Sequence, residues 1–93
     1  MNKDIRLKII DLTILFFNYR NSYNLGFQRY SVFRNMIRYI NGNTLTDKQV
    51  RVVFQTLVSN KNFEKVKKIG TIYYRWNFHN KVEPKTKYIQ INF

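Results

Sequence analysis

Apolar residues recur at steps of three and four from the beginning of the chain. Ile5, Ile9, Leu12, Phe16 and Tyr19 form one stripe of a helix predicted over Lys3 to about Arg20, with Asn2 as its cap. Asp4 and Lys8 fall four apart in the favourable order, acid before base. Ile10, Ile14 and Phe17 widen the apolar face, so this helix is expected to pack on two sides. Asn21 to Tyr30 mixes Asn, Ser and Gly26 with Tyr23, Leu25 and Phe27. It reads as a loop whose apolar residues tuck against the core, with a short strand near Phe27. Ser31 is the expected N-cap of a second helix running to Ile40, with Phe33, Met36, Ile37 and Ile40 on one face and Arg34, Asn35 and Arg38 on the other. Asn41-Gly42-Asn43 ends it, and Gly42 suits the left-handed position past a helix C-terminus.

The third helix has the clearest start. Thr46 at the N-cap and Gln49 three residues on form a capping box, and Leu45 and Val50 occupy the hydrophobic-staple positions. It is predicted to run to about Ser59, with Val50, Val53, Phe54 and Leu57 inward. Its outer face then carries Lys48, Val52, Gln55 and Ser59, with Arg51 on the flank and Thr44 just before the cap. After Asn60-Lys61-Asn62 the period changes to two: Ile72, Tyr74, Trp76 and Phe78 alternate with Thr71, Tyr73, Arg75 and Asn77. The first set is expected to face the helices as core, and Tyr73 to stay on the outward face. The partner strand is Phe63 to Lys68, joined through a turn at Ile69-Gly70, which places Lys65, Lys67 and Lys68 near a hairpin tip. His79 to Lys87 is polar, contains Pro84 and reads as a linker; Ile89, Ile91 and Phe93 alternate again as a final strand that pairs in cis or docks on a partner.

At 93 residues the chain has material for one modest core. Residues 1–78 are read as the domain and 79–93 as linker and strand. The 17 Lys and Arg against 5 Asp and Glu give a net charge of +12, spread along the whole chain, which points to a polyanionic partner. The absence of cysteine excludes disulfides and thiolate metal sites. The longest apolar run, Leu12 to Phe17, is far short of the roughly 20 residues of a membrane span. Met1 to Arg6 is charged and has no cleavage-site pattern, so a soluble intracellular protein of cytoplasm, nucleoid or organelle is expected. Asn, Lys, Ile, Phe, Tyr and Met make up about half the chain, and their AT-rich codons suggest a biased genome such as that of a virus or mobile element.

The order helix, loop, helix, short turn, capped helix, basic hairpin resembles the winged-helix family of DNA-binding domains over about Ile5 to Phe78. The stretch TDKQVRVVFQTLVSNKNFEKVKKIGTIYYRW carries the likeness most directly. It implies an α+β fold: a three-helix bundle with a C-terminal hairpin wing and room for one extra strand. It also implies that Thr46 to Ser59 is a recognition helix for a major groove about 12 Å wide, positioned by the second helix. Lys48 and Arg51 are then donors to phosphate or guanine, Gln55 pairs with adenine, and Val52 touches a thymine methyl or packs on the wing or on a dimer mate. Ser59 lies on the same face. Thr44, Thr46 and the free N–H groups of the first turn can hold a phosphate. The wing assigns backbone contact to Lys65, Lys67 and Lys68, with Tyr73 and Arg75 on its outward face, and Arg34 and Arg38 extend the patch along the groove edge.

Catalysis has little to build on. His79 is the single histidine, and the acids Asp4, Asp11, Asp47, Glu64 and Glu83 are scattered. No metal or cofactor is expected. The sequence therefore points to a non-enzymatic duplex-DNA binder, a small transcriptional regulator or replication accessory, with dimerisation through the first helix or the last strand needed for tight operator binding. The rival readings are an RNA-binding component of a ribonucleoprotein and an inhibitor occupying the channel of a nucleic-acid enzyme.

Overall fold

Helix α1 spans Lys3–Tyr19 and starts where its cap dictates, the Asn2 side-chain oxygen accepting from the Ile5 backbone N–H at 2.9 Å. The computed structural model describes residues 2–19 and 25–78. The expected linker and final strand over 79–93, and Tyr23, lie outside them. In order, the remaining elements are β1 (Gln28–Arg29), α2 (Tyr30–Ile40), α3 (Asp47–Ser59), β2 (Phe63–Lys68) and β3 (Thr71–Trp76). The result is an α+β fold of three helices and a three-stranded antiparallel sheet in the order β1-β3-β2. No helix among the described residues is long and apolar enough to cross a membrane.

The face that α1 buries differs from the expected one. Ile10, Ile14 and Phe17 enter the core, whereas Ile5 and Tyr19 remain about half exposed at 49% and 51%. Ring packing accounts for the choice. Phe17 stacks on Trp76 with centroids 4.8 Å apart, and the Trp76 indole N–H donates to the Asn18 side chain at 3.0 Å, fixing the rotation of α1 against β3. Helix α2 also departs slightly: it begins at Tyr30, and its N-cap is Arg29, which makes no side-chain capping bond. Arg29 is held in extended geometry by pairing with Tyr73, so the sheet sets the start of α2, not Ser31. Leu25 and Phe27 are exposed, contrary to the expectation that they tuck into the core.

Two helix ends aim the following segments. At the end of α2 the Gly42 N–H reaches the Tyr39 carbonyl and the Asn43 N–H the Arg38 carbonyl, a Schellman pattern that requires the positive φ of Gly42. The end of α3 repeats it with Lys61, φ 62°, in the left-handed position, its N–H on Val58 and that of Asn62 on Leu57. This reversal delivers Phe63 to the centre of the molecule. Its ring lies within 6 Å, centroid to centroid, of Phe17 from α1, Phe33 from α2, Phe54 from α3 and Trp76 from β3.

Strands β2 and β3 run in register from Phe63↔Trp76 at the root to Lys68↔Thr71 at the tip, leaving Ile69-Gly70 as a two-residue turn. Both have positive φ, 50° and 78°, as a type I′ turn requires. Asn-Gly is the usual occupant; a β-branched residue there costs roughly 1–2 kcal/mol. Ile72, expected in the core, is 41% exposed because the hairpin extends past the helices.

Two stability measurements check this account. Phe63→Ala should cost about 3–5 kcal/mol in urea unfolding, because four rings lose a common neighbour. Ile69→Asn should do the opposite, relieving the turn and raising Tm by about 5 °C, since about 1 kcal/mol is worth that much in a domain of this size.

Candidate nucleic-acid interface

The exposed side of α3 is assembled from its own cap outward. The Thr46 hydroxyl oxygen accepts from the Gln49 N–H at 3.2 Å, and the Gln49 side chain accepts from the Thr46 N–H at 2.9 Å, completing the capping box. Leu45 packs against the core that Val50 enters. With Val50, Val53, Phe54 and Leu57 buried, the period of the helix leaves Lys48, Arg51, Gln55 and Ser59 exposed. Ser59 stands roughly 16 Å along the axis from Lys48, at the end where the helix dipole is negative.

Lys48 lies between two grooves. One, of 270 Å³, is lined by Tyr30, Arg34, Asp47, Lys48 and Arg51. The other, of 330 Å³, is lined by Arg6, Thr46, Lys48, Gln49 and Val52. Four cations from three helices thus meet around the first two turns of α3. Arg51 is steadied by the Tyr30 ring, its guanidinium carbon 5.2 Å from the centroid. Arg34 leans on the Asn35 side chain at 3.4 Å. Val52 is half-buried in the wall of the second groove, beside Arg6, Thr46, Lys48 and Gln49 and not among hairpin residues.

Arg6 was not among the residues marked by the sequence. The signal was present in the stripe that α1 buries, because Arg6 precedes Ile10 by one helical turn and so continues the core-facing line past the edge of the core. Choosing the other apolar stripe as the packing face hides it.

Two arginines expected to meet phosphate are instead held by acids of the fold. Arg38 pairs with Asp47 and has its Nε buried, so it clamps α2 to the start of α3. Asp47 is well exposed, which makes the pair worth little in stability. It nonetheless balances the one carboxylate in the basic groove. Arg75 donates from Nε to Glu64 Oε2 at 2.9 Å, contacts the same oxygen through Nη2, and lies 4.5 Å from the Phe27 centroid. The Thr44 hydroxyl donates to the Asn41 carbonyl at 2.9 Å, which leaves its oxygen as an acceptor and turns its proton away from a ligand. Thr46 keeps its hydroxyl proton, and the N–H groups of Asp47 and Lys48 carry no intrahelical bond at this end.

The hairpin lysines also divide differently from a single patch. Lys65 and Lys67 lie opposite Tyr74 and Ile72 and share their face, the one that nearer the root packs Tyr74 on Phe54 at 4.8 Å. Lys68 belongs to the other face with Val66, Tyr73 and Arg75. All three lysines are exposed. Tyr73 is half-buried between strands, with Arg29 above its ring at 6.0 Å. Among the described residues no group of three or more His, Cys, Asp or Glu is placed to hold a metal ion. No protein-family model, curated protein sequence or solved structure matches this chain.

Proposed function

We propose that this protein binds double-stranded DNA as a winged-helix domain, with α3 in the major groove and the β2–β3 hairpin as the wing. The observation that carries the reading is the convergence of Arg6, Arg34, Lys48 and Arg51 on the exposed N-terminal half of α3, beside Gln55, where the only carboxylate lining the grooves among the described residues is already paired. An α-helix with its side chains is 10–12 Å across and fits a major groove about 12 Å wide. The grooves flanking Lys48 are open and shallow in character, suited to a phosphate backbone lying across them. Arg6 and Arg34 stand on opposite sides of α3's start and would meet the two groove edges, while Arg51 and Gln55 have the donors and acceptors that distinguish guanine and adenine edges.

The charge economy supports the same conclusion. Among the described acids, Asp47 and Glu64 are each engaged by an arginine and Asp11 is buried, which leaves Asp4 as the exposed carboxylate set against the remaining cations. The uncompensated cations therefore dominate the surface, a distribution that speeds encounter with a polyanion and stabilises its complex. The biological role that fits is a small DNA-binding regulator or replication accessory, with specificity limited by the footprint of one helix and one wing.

Salt titration of binding to duplex DNA tests the reading. Five phosphate contacts, from Arg6, Arg34, Lys48, Lys67 and Lys68, give a slope of log K against log salt of about −4.5. Arg6→Ala and Lys67→Ala should each flatten it by about one and weaken all duplexes alike. Gln55→Ala should leave the slope unchanged and relax the selected sequence at one position. Arg38→Ala should change stability little and leave the slope unchanged, because its guanidinium is engaged by the exposed Asp47. Tighter binding to structured RNA than to duplex DNA at equal salt would move the assignment to a ribonucleoprotein component.

A further inference from the structure

Ile69 is the residue for which the fold supplies the least internal reason. It is β-branched and held at φ 50°, where its Cβ crowds the following carbonyl. Its side chain is the most exposed of the large hydrophobic residues among the described residues, with a relative accessibility of 105%. The chain thus accepts backbone strain there and gains no packing in return, although Asn would suit the turn better. Strain kept at an exposed apolar residue directs attention to what that residue meets outside the fold.

Its surroundings narrow the partner. Lys67 and Lys68 immediately precede it, both exposed, and Ile72, across from Lys67, adds a second exposed apolar side chain below the tip. An apolar point inside a cationic collar fits a surface whose interior is apolar and whose rim is anionic. The base stack of a duplex between its phosphate walls is such a surface. The two-residue tip is the narrowest part of the hairpin and presents a single side chain, Ile69, at its apex, so that side chain reaches into a minor groove about 6 Å wide that does not admit the whole ribbon. A lipid surface has the same polarity, but one isoleucine offers far less apolar area than even the single acyl chain that anchors a protein only marginally.

We infer that the hairpin inserts Ile69 as a wedge between base pairs from the minor groove, kinking the duplex while Lys67 and Lys68 hold the flanking phosphates. The inference rests on the duplex-binding reading above and adds a mode of recognition to it. Pyrimidine–purine steps unstack most easily, so the wedge would confer sequence preference at a position where no hydrogen bond reads a base.

The test is a short duplex carrying 2-aminopurine at a central TA step, with donor and acceptor dyes at its ends to report bending. Wild-type protein should raise the 2-aminopurine fluorescence and shorten the end-to-end distance. Ile69→Asn should abolish both and weaken binding about tenfold, with the salt slope unchanged because the lysines remain. Ile69→Leu, which keeps an apolar side chain, should retain both signals. Salt-sensitive duplex binding in which Ile69→Asn matches wild type in affinity and fluorescence would overturn the wedge alone. Failure of wild type to bind duplex DNA at any salt would overturn the wedge and the duplex reading together. Co-sedimentation with phosphatidylserine vesicles that depends on Ile69, without a 2-aminopurine response, would overturn the wedge in favour of a lipid surface.

Discussion

The ring of Phe63 is the point on which the molecule is assembled. It is the first residue of β2 and touches aromatic side chains from all three helices and from β3, so one side chain fixes the hairpin root against the bundle. Its position depends on the left-handed Lys61 that turns the chain at the end of α3. Because helix and hairpin are joined through so short a reversal and share one aromatic cluster, the hairpin root is fixed relative to the end of α3. A two-armed surface of this kind can be pre-organised, which lowers the entropy cost of binding.

Charge is distributed so that acids serve the fold and most bases are left to the surface. Asp47 sits at the start of α3, where the helix dipole favours a carboxylate, and takes up Arg38. Glu64 takes up Arg75 across the strand pair. These two pairs take Arg38 and Arg75 out of the set of free cations that a count along the sequence suggests. Arg6, from α1, joins Arg34, Lys48 and Arg51 around the start of α3.

Much of the fold was legible because its signals were local. The capping box at Thr46, Gly42 after α2 and the alternation from Ile72 to Phe78 each report on their own neighbourhood, and each element appears near its expected bounds. The face of α1 was not legible, since Ile9, Ile10, Leu12, Ile14, Phe16 and Phe17 make two overlapping stripes of equal spacing. Only the distant Trp76 and Asn18 contact chooses between them. The α2 start was likewise decided by strand pairing of Arg29, a tertiary effect that overrides the capping preference of Ser31. The division of the lysines was, in contrast, present in the sequence. Counting back from a two-residue turn at Ile69-Gly70 puts Lys67 opposite Ile72 and Lys65 opposite Tyr74. The same count puts Arg75 opposite Glu64, so that pair was legible too; the engagement of Arg38 was hidden, because Asp47 is 9 positions away on another helix and becomes a neighbour only through packing.

The central claim is that the outer face of α3 and the hairpin tip form one duplex-binding surface. Amide chemical-shift mapping during titration with duplex DNA tests it most directly. The account predicts perturbations concentrated at Arg6, Arg34, residues 46–55 and residues 67–71, with the β1 edge and the α1 stripe of Leu12, Phe16 and Tyr19 unmoved. Perturbations confined to that α1 stripe or to the β1 edge, with α3 silent, would contradict it.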